Sequence, residues 1–363
     1  MVTFPEPMLD AFMLPEGKKT AVPFGNGHIN DTYLVTVEGA ADRYILQRIN
    51  GNVFPKPVEV MQNIVHVTDY LRQRIQAEGG DPLRETLTLI PAKDGQFWAT
   101  DAEGSVWRAD LCVADTMSPE MTDTSEMLQE CGRVFGLFSR RLLAFPADTL
   151  HETIAGFHDT PNRVRQLEDA VAQDRAGRLS QVGPELEFAR ERSGKTAILT
   201  DQLARGILPL RVTHNDTKIN NVLFDTATGR AICVVDLDTV MPGLLAYDFG
   251  DAIRVGASTA EEDERDLSII HMDLDQYEAF ARGYLQELGS VLNREEVLSL
   301  ATGAWMMTLE VGLRFLADHL NGDVYFKIHR PNQNLDRARA QFALAADMEK
   351  KRQQMEQILL NLA

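Results

Sequence analysis

Thr213-His214-Asn215-Asp216-Thr217-Lys218-Ile219-Asn220-Asn221 decides the reading of this chain, together with Asp236, fifteen residues beyond Asn221 at the end of an apolar run. An acid on a loop, an amide five residues later and a second acid after a short hairpin suit two tasks. One is to accept the proton of a hydroxyl, and the other is to hold a hard cation on phosphate oxygens. Asp216 is the candidate base, and Asn221 and Asp236 are the candidate ligands of Mg²⁺, whose preference is for oxygen donors. A helix N-cap or an Asx turn would use the same residue types, but not three of them at these spacings.

The neighbouring polar residues read as support. No GxSxG elbow occurs and no second His or Cys lies at ligand spacing, so His214 is expected to brace the loop backbone. Asp238 would share a face with Asp236 on extended backbone and is expected to assist it or cap the loop. Asp248 and Asp251 are expected to brace the loop through hydrogen bonds.

Working outward, Leu210 to Thr213, Val222 to Phe224 and Ala231 to Val235 form a short β insertion with a turn at Thr226 to Gly229. Upstream, Thr20 to Phe24, Thr32 to Val37 and Tyr44 to Ile49 predict a three-stranded meander broken at glycines. Pro57 opens a helix whose Val60, Ile64, Val67 and Leu71 recur at helical spacing. Strands are expected at Thr86 to Ile90, Gln96 to Thr100 and Ser105 to Val113. Beyond Asp115-Thr116 the pattern turns helical: Met121 to Leu143, Arg163 to Ala172, Glu185 to Ala204, Leu274 to Leu288, Glu295 to Leu320 and Leu335 to Leu360. The class is α+β, with a first domain at 1–115 and a second at 116–363.

Composition limits the partners. With 363 residues, 44% hydrophobic and 25% charged, the chain is long enough for two packed domains and has no disordered tract. A formal net charge of −18 without a basic run disfavours nucleic acid and anionic membrane surfaces. The N-terminal stretch has acids and prolines where a secretion signal needs a basic start, and no run approaches a membrane span, so a cytoplasmic location is expected. Cys112, Cys131 and Cys233 have no close pairing and read as reduced, structural thiols. The last helix, with Lys350, Lys351 and Arg352 among Met and Leu, is expected to pack on its own domain, which favours a monomer.

Two further stretches bear on binding. Gly25-Asn26-Gly27-His28-Ile29-Asn30 joins two strands and lets backbone N–H groups approach phosphates, although an ordinary hairpin turn uses the same residues. His28, Asn30 and Asp31 are candidates to meet an acceptor's hydroxyls. Arg314 lies in a mostly apolar helix, where it either pairs with Glu310 one turn back or contacts a substrate; Tyr325 offers a hydroxyl or a stacking face nearby.

The HxDxxxxN pattern of His214, Asp216 and Asn221, with the later Asp236, resembles the aminoglycoside phosphotransferase and choline kinase-like superfamily, relatives of protein kinases. Within it, GNGHINDTYLV and THNDTKINNVLFD…VVDLDTVMPG are similar to bacterial N-acetylhexosamine 1-kinases, over nearly the whole chain. The resemblance implies a protein-kinase-like two-lobed fold, with a small antiparallel-sheet lobe bearing one helix and a larger, mainly helical lobe. It implies ATP and Mg²⁺ as cofactors, with Gly25, Asn26 and Gly27 on the phosphates and adenine at the backbone from Val113 to Asp115. It implies transfer to the anomeric hydroxyl of a free N-acetylhexosamine, with Arg314 and Tyr325 in the sugar pocket. Other hydroxyl acceptors (an aminoglycoside, an amino alcohol, a fructosamine, a methylthioribose) or a nucleotide-binding regulator without catalysis are the alternatives. One departure stands out. Where kinases usually place a lysine on the third strand, this chain has Leu46-Gln47-Arg48, and either Arg48 or Gln47 is left to contact phosphate.

Overall fold

The structure, a computed structural model, describes residues 6–25, 29–120 and 124–363. It opens with a helical turn α1 (Glu6–Leu9) and strands β1 (Lys19–Pro23), β2 (Asp31–Val37) and β3 (Arg43–Arg48). Helices α2 (Pro57–Ala77) and α3 (Pro82–Glu85) precede β4 (Ala99–Thr100), β5 (Val106–Leu111) and β6 (Thr116–Met117). Helices α4 (Ser125–Leu142), α5 (Thr160–Gln173), α6 (Gly183–Ser193) and α7 (Ile198–Ala204) follow. Then come β7 (Arg211–Thr213), β8 (Val222–Asp225), β9 (Ala231–Val234) and β10 (Met241–Gly243). The chain ends with α8 (Leu245–Gly256), α9 (Leu274–Leu288), α10 (Arg294–Asn321) and α11 (Gln333–Leu362). These elements fall into two units: Met1–Ser118 with Arg141–Ala155 and Asn221–Pro242, and Pro119–Arg140 with Gly156–Asn220 and Gly243–Ala363.

The first unit is built on an antiparallel sheet in the order β1-β2-β3-β5-β4. Along β2, Tyr33, Val35 and Val37 are buried while Thr36 is exposed, the period-2 signature of a half-covered strand. Their face carries Leu46, Trp107 and Ala109 as well, and packs on Met8, Leu9 and Phe12. β5 is buried along nearly its whole length because it lies inside the sheet. Alternation sends Arg108 and Asp110 of that strand to the face opposite Trp107. Helix α2 starts on Pro57 and buries Val60, Ile64, Val67, Leu71 and Ile75 at helical spacing. A second, small sheet pairs β6 with β8 and β8 with β9.

The expected strand at Thr86 to Ile90 does not form. Leu89 makes one bridge to Asp110, and Ile90 N–H reaches Ala109 O at 2.7 Å before Pro91 intervenes without an N–H to continue the ladder. The strand expected at Gln96 to Thr100 shortens to Ala99–Thr100.

The second unit is helical around α10, which is buried on almost every side. Asn293 and Glu296 form a capping box at its start, and Gly322, at φ 99°, ends it in the left-handed conformation. One expectation is corrected here. Glu185 to Ala204 is not one helix but α6 and α7, broken after Ser193. Residues 245–256, to which the sequence pattern assigned no element, form α8, a helix buried along most of its length. Among the described residues no helix is long and apolar enough to cross a membrane.

Candidate active site

In the second unit the motif loop is fixed by helix α8. The Asp248 carboxylate accepts the N–H groups of His214 at 2.8 Å and Asn215 at 2.7 Å. The Asp248 carbonyl accepts the Thr217 hydroxyl at 2.5 Å. Asn215 turns the chain through the left-handed region, at φ 64°. Gly243 lies so close that a Cβ there would meet Thr213 Oγ1 at 2.3 Å. His214 is buried with its ring edge-on to Phe135 and Phe138, and its Nδ1 accepts the Asp216 N–H at 3.3 Å. His214 and Asp248 therefore brace the loop, as their residue types suggested.

Asp216 Oδ1 lies 2.6 Å from Lys218 Nζ. The Asp216 charge, with Asp251 adding, holds the Lys218 ammonium above the ordinary lysine range against the opposing effect of burial. Asp251 itself pairs with Arg254 at 3.1 Å. Lys218 had not stood out in the sequence, because a lysine two residues past an acid reads as ordinary loop charge.

Also in the second unit, Arg314 has three rings around its guanidinium: Phe326 at 5.4 Å, Phe157 at 5.6 Å and Tyr325 at 5.8 Å. No ion pair joins it to Glu310 among the described residues. Glu310 instead accepts from Thr160 Oγ1 at 2.6 Å and meets His158 Nδ1 at 3.0 Å. Burial alone would raise the Glu310 carboxyl; the His158 hydrogen bond and charge, the Thr160 hydroxyl and the more distant Arg314 charge together hold it below the ordinary value.

In the first unit, Asn221 and Asp236 stand at the same end of the β8-β9 hairpin. Val235 N–H donates to Asn221 O at 2.9 Å, beside the Val222 to Val234 pair. Asp236 leaves the strand in the left-handed conformation, at φ 61°, and opens the turn Leu237–Thr239. Two oxygen-bearing side chains at one hairpin end fit Mg²⁺, which keeps waters and binds through one or two carboxylates plus phosphate oxygens. No group of three or more His, Cys, Asp or Glu that could hold a metal occurs among the described residues, so the donor set does not fit a structural zinc cage.

The remaining candidates of the first unit divide between local partners. Gly25 has φ +77°, a conformation that suits glycine at the loop. Asn26, Gly27 and His28 lie outside the described residues. Asn30 donates to Asp238 Oδ2 at 2.5 Å and accepts the Asn50 N–H at 3.0 Å. Asp31 pairs with Arg48, whose Nε is 2.8 Å away. Arg48 also lies over the Trp107 ring at 6.0 Å. Val113 O accepts the Thr116 hydroxyl at 2.9 Å, Ala114 O accepts Arg84 Nη1 at 3.0 Å, and Asp115 O accepts Thr226 N–H at 3.0 Å.

The phosphotransferase enzyme family model, APH, matches residues 20–289, most of the chain and all of both motif blocks. The chain belongs to this family. As a phosphotransferase it also has structural likenesses across its whole length. A microcompartment-associated aminopropanol kinase matches with a TM-score of 0.66 at 18% identity, over 98% of this chain and 99% of the other. An aminoglycoside phosphotransferase from Alicyclobacillus acidocaldarius matches with a TM-score of 0.63 at 13% identity, over 99% and 96%. A spectinomycin phosphotransferase, solved with ADP and spectinomycin, matches with a TM-score of 0.51 at 12% identity, over 90% and 93%. At these identities what is shared is the fold. This phosphotransferase has the protein-kinase-like α+β fold, with an antiparallel-sheet N-terminal part and a helical C-terminal part.

Proposed function

We propose that this phosphotransferase uses ATP and Mg²⁺ to phosphorylate the anomeric hydroxyl of a free N-acetylhexosamine. The observation that carries the reading is the anchored motif loop, in which Asp248 and His214 hold the backbone N–H groups leading into Asp216 and Asp248 O takes the Thr217 hydroxyl just after it. Phosphoryl transfer asks a protein mainly for positioning and charge neutralisation, and a loop held at three backbone groups supplies the first.

Asp216 orients the acceptor hydroxyl and takes its proton as the acceptor oxygen bonds to the γ-phosphorus. The bond from that phosphorus to the β,γ-bridging oxygen breaks, and ADP leaves. Asn221 and Asp236 hold Mg²⁺, which when bound neutralises charge on the phosphate oxygens. Lys218, tied to Asp216, keeps a second positive charge beside the reacting group. The Gly25 to Gly27 stretch is assigned to the phosphates, the backbone of Val113 and Asp115 to the adenine, and His28 and Asn30 to the acceptor, whereas Arg48 and Asp31 pair with each other on the Trp107 face.

The acceptor class follows from Arg314 and Tyr325. A guanidinium seated among three rings offers donors to a carbonyl or hydroxyl oxygen, and the rings suit an acetamido methyl and a pyranose face. The rival acceptors are an amino alcohol or an aminoglycoside, favoured by what the structural neighbours act on and by the net charge of −18. Arg163 weighs against them. Burial and the Arg314 charge lower its affinity for a proton, with Glu310, Tyr325 and Asp159 opposing. A cationic acceptor in that place would face both guanidinium groups. ADP release measured across a panel of free sugars, amino alcohols and aminoglycosides tests the proposal. N-acetylglucosamine or N-acetylgalactosamine is expected to give the highest kcat/KM by at least tenfold, and a preference for an amine removes the sugar reading.

A further inference from the structure

Resting on that reading, we infer that Arg108 is a positioning residue that stands in for the missing third-strand lysine, fixing the metal-binding turn through Asp238 rather than by touching phosphate. The first unit contains the whole arrangement. Gln47 on β3 is the cross-strand partner of Arg108 on β5, and Arg108 Nη2 donates to Gln47 Oε1 at 2.6 Å. Arg108 Nη1 donates to Asp238 Oδ1, and Arg108 Nε lies 3.3 Å from Asp110 Oδ2. Arg108 is 1% exposed, and Asp110 and Asp238 are 3% exposed each.

A buried cation between two buried carboxylates is weak evidence for stability, because desolvation offsets much of the attraction. Its stronger effect is to fix geometry, since the planar guanidinium presents donors in fixed directions. What it fixes is the turn that begins at Asp236. Asp238 sits two residues along that turn and receives a second donor from Asn30, at the end of the glycine loop. Two residues further, Val240 O accepts Asn63 Nδ2 of α2 at 3.0 Å. The segment from Asp236 to Val240 is thus tied to the sheet, the glycine loop and α2. The left-handed backbone of Asp236, which an Asp adopts only at some cost, persists in that setting. Groups that orient a metal's ligands commonly alter metal affinity by 10- to 100-fold when removed. Arg48, the other cation near the expected lysine position, is on the Trp107 face and paired with Asp31, away from this cluster.

The test measures ADP binding by titration calorimetry, with MgCl₂ and with chelator, for wild type, Arg108→Lys, Arg108→Gln and Asp238→Asn. Circular dichroism reports on folding in each case. Wild type is expected to bind ADP at least tenfold more tightly with Mg²⁺ than without. Arg108→Gln and Asp238→Asn are expected to lose most of that gain and keep metal-free ADP affinity within about twofold. Arg108→Lys falls between, because it keeps the charge without the fork. The double variant loses no more than either single one, as expected of residues acting as a unit. Should Arg108→Gln fail to fold, Arg108→Lys decides by the same two affinities. An unchanged Mg²⁺ gain overturns the inference, as does an equal fall in metal-free affinity, which would indicate direct phosphate contact or general damage. Absence of any ADP binding by the wild type overturns the proposed function itself; Mg²⁺-coupled binding equal in all forms overturns the role of Arg108 alone.

Discussion

Asp216 gains as a base from having its backbone held by groups other than its own carboxylate: Asp248 and His214 bond the main chain of the loop, and Lys218 meets the Asp216 carboxylate at 2.6 Å. Asp216→Asn keeps shape and loses basicity. Turnover is expected to fall by roughly 10²-fold or more, as loss of a general base does, with ADP affinity retained. Near-normal turnover in that variant would remove Asp216 from the role. Asp110 gives a second test at this scale. Burial pushes its carboxyl up from 3.8 to about 6, with Arg108 opposing and Asp238 reinforcing. A native pKa above the unfolded one means that the folded chain binds the extra proton. The contribution of Asp110 to stability is therefore fully present below 3.8 and lost as pH rises through about 6. Urea unfolding of wild type and Asp110→Asn, compared pH by pH, is expected to show wild type losing stability relative to the variant between about pH 4 and 6, with no further change above. A relative gain over that range would contradict the assignment. Neither Arg108 nor Asp110 was legible as a site residue in the sequence, because the partner that gives Arg108 meaning, Asp238, is 130 positions away.

Elements with a clear period were legible and those without one were not. The meander β1 to β3 and the helix α2 follow from alternation, glycine turns and an initial proline. Helix α8 carries apolar residues around its circumference, with two glycines and two acids among them, so neither period stands out. Its glycine has a packing reason. A Cβ on Gly250 would meet Gly303 O at 2.3 Å, and a Cβ on Gly303 would meet Ala246 O at 1.9 Å. Helices α8 and α10 cross in backbone contact, and the crossing places Asp248 under the motif loop. Gly303→Ala is expected to destabilise the protein by about 1–3 kcal/mol and to lower kcat, since Ala246 and Asp248 share one turn. Gly194→Ala, where a Cβ meets nothing within 4 Å, is the control expected to be near neutral. Thermal melts and steady-state rates on the pair check this, and equal behaviour of the two variants would contradict it.

At the scale of the whole molecule, the fold class was legible from the order of strands followed by helices, and the family from two short motif blocks far apart in the chain. The proposed acceptor pocket is harder to read, because Arg314, Phe157, Tyr325 and Phe326 meet around one guanidinium, a convergence no spacing encodes. Linkage makes a global prediction. Ligand bound only by the folded chain stabilises it by about 2.7 kcal/mol at a hundredfold excess over Kd, so ADP with Mg²⁺ is expected to raise Tm more than ADP alone. An identical shift in both would argue against a metal-bound nucleotide. The central claim is tested most directly by incubating the protein with ATP, Mg²⁺ and N-acetylglucosamine or N-acetylgalactosamine, and following products by ³¹P and ¹H NMR. The account predicts a phosphate coupled to the anomeric proton, formed one for one with ADP. Phosphate on another hydroxyl, or ATP breakdown without transfer to either sugar, would contradict it.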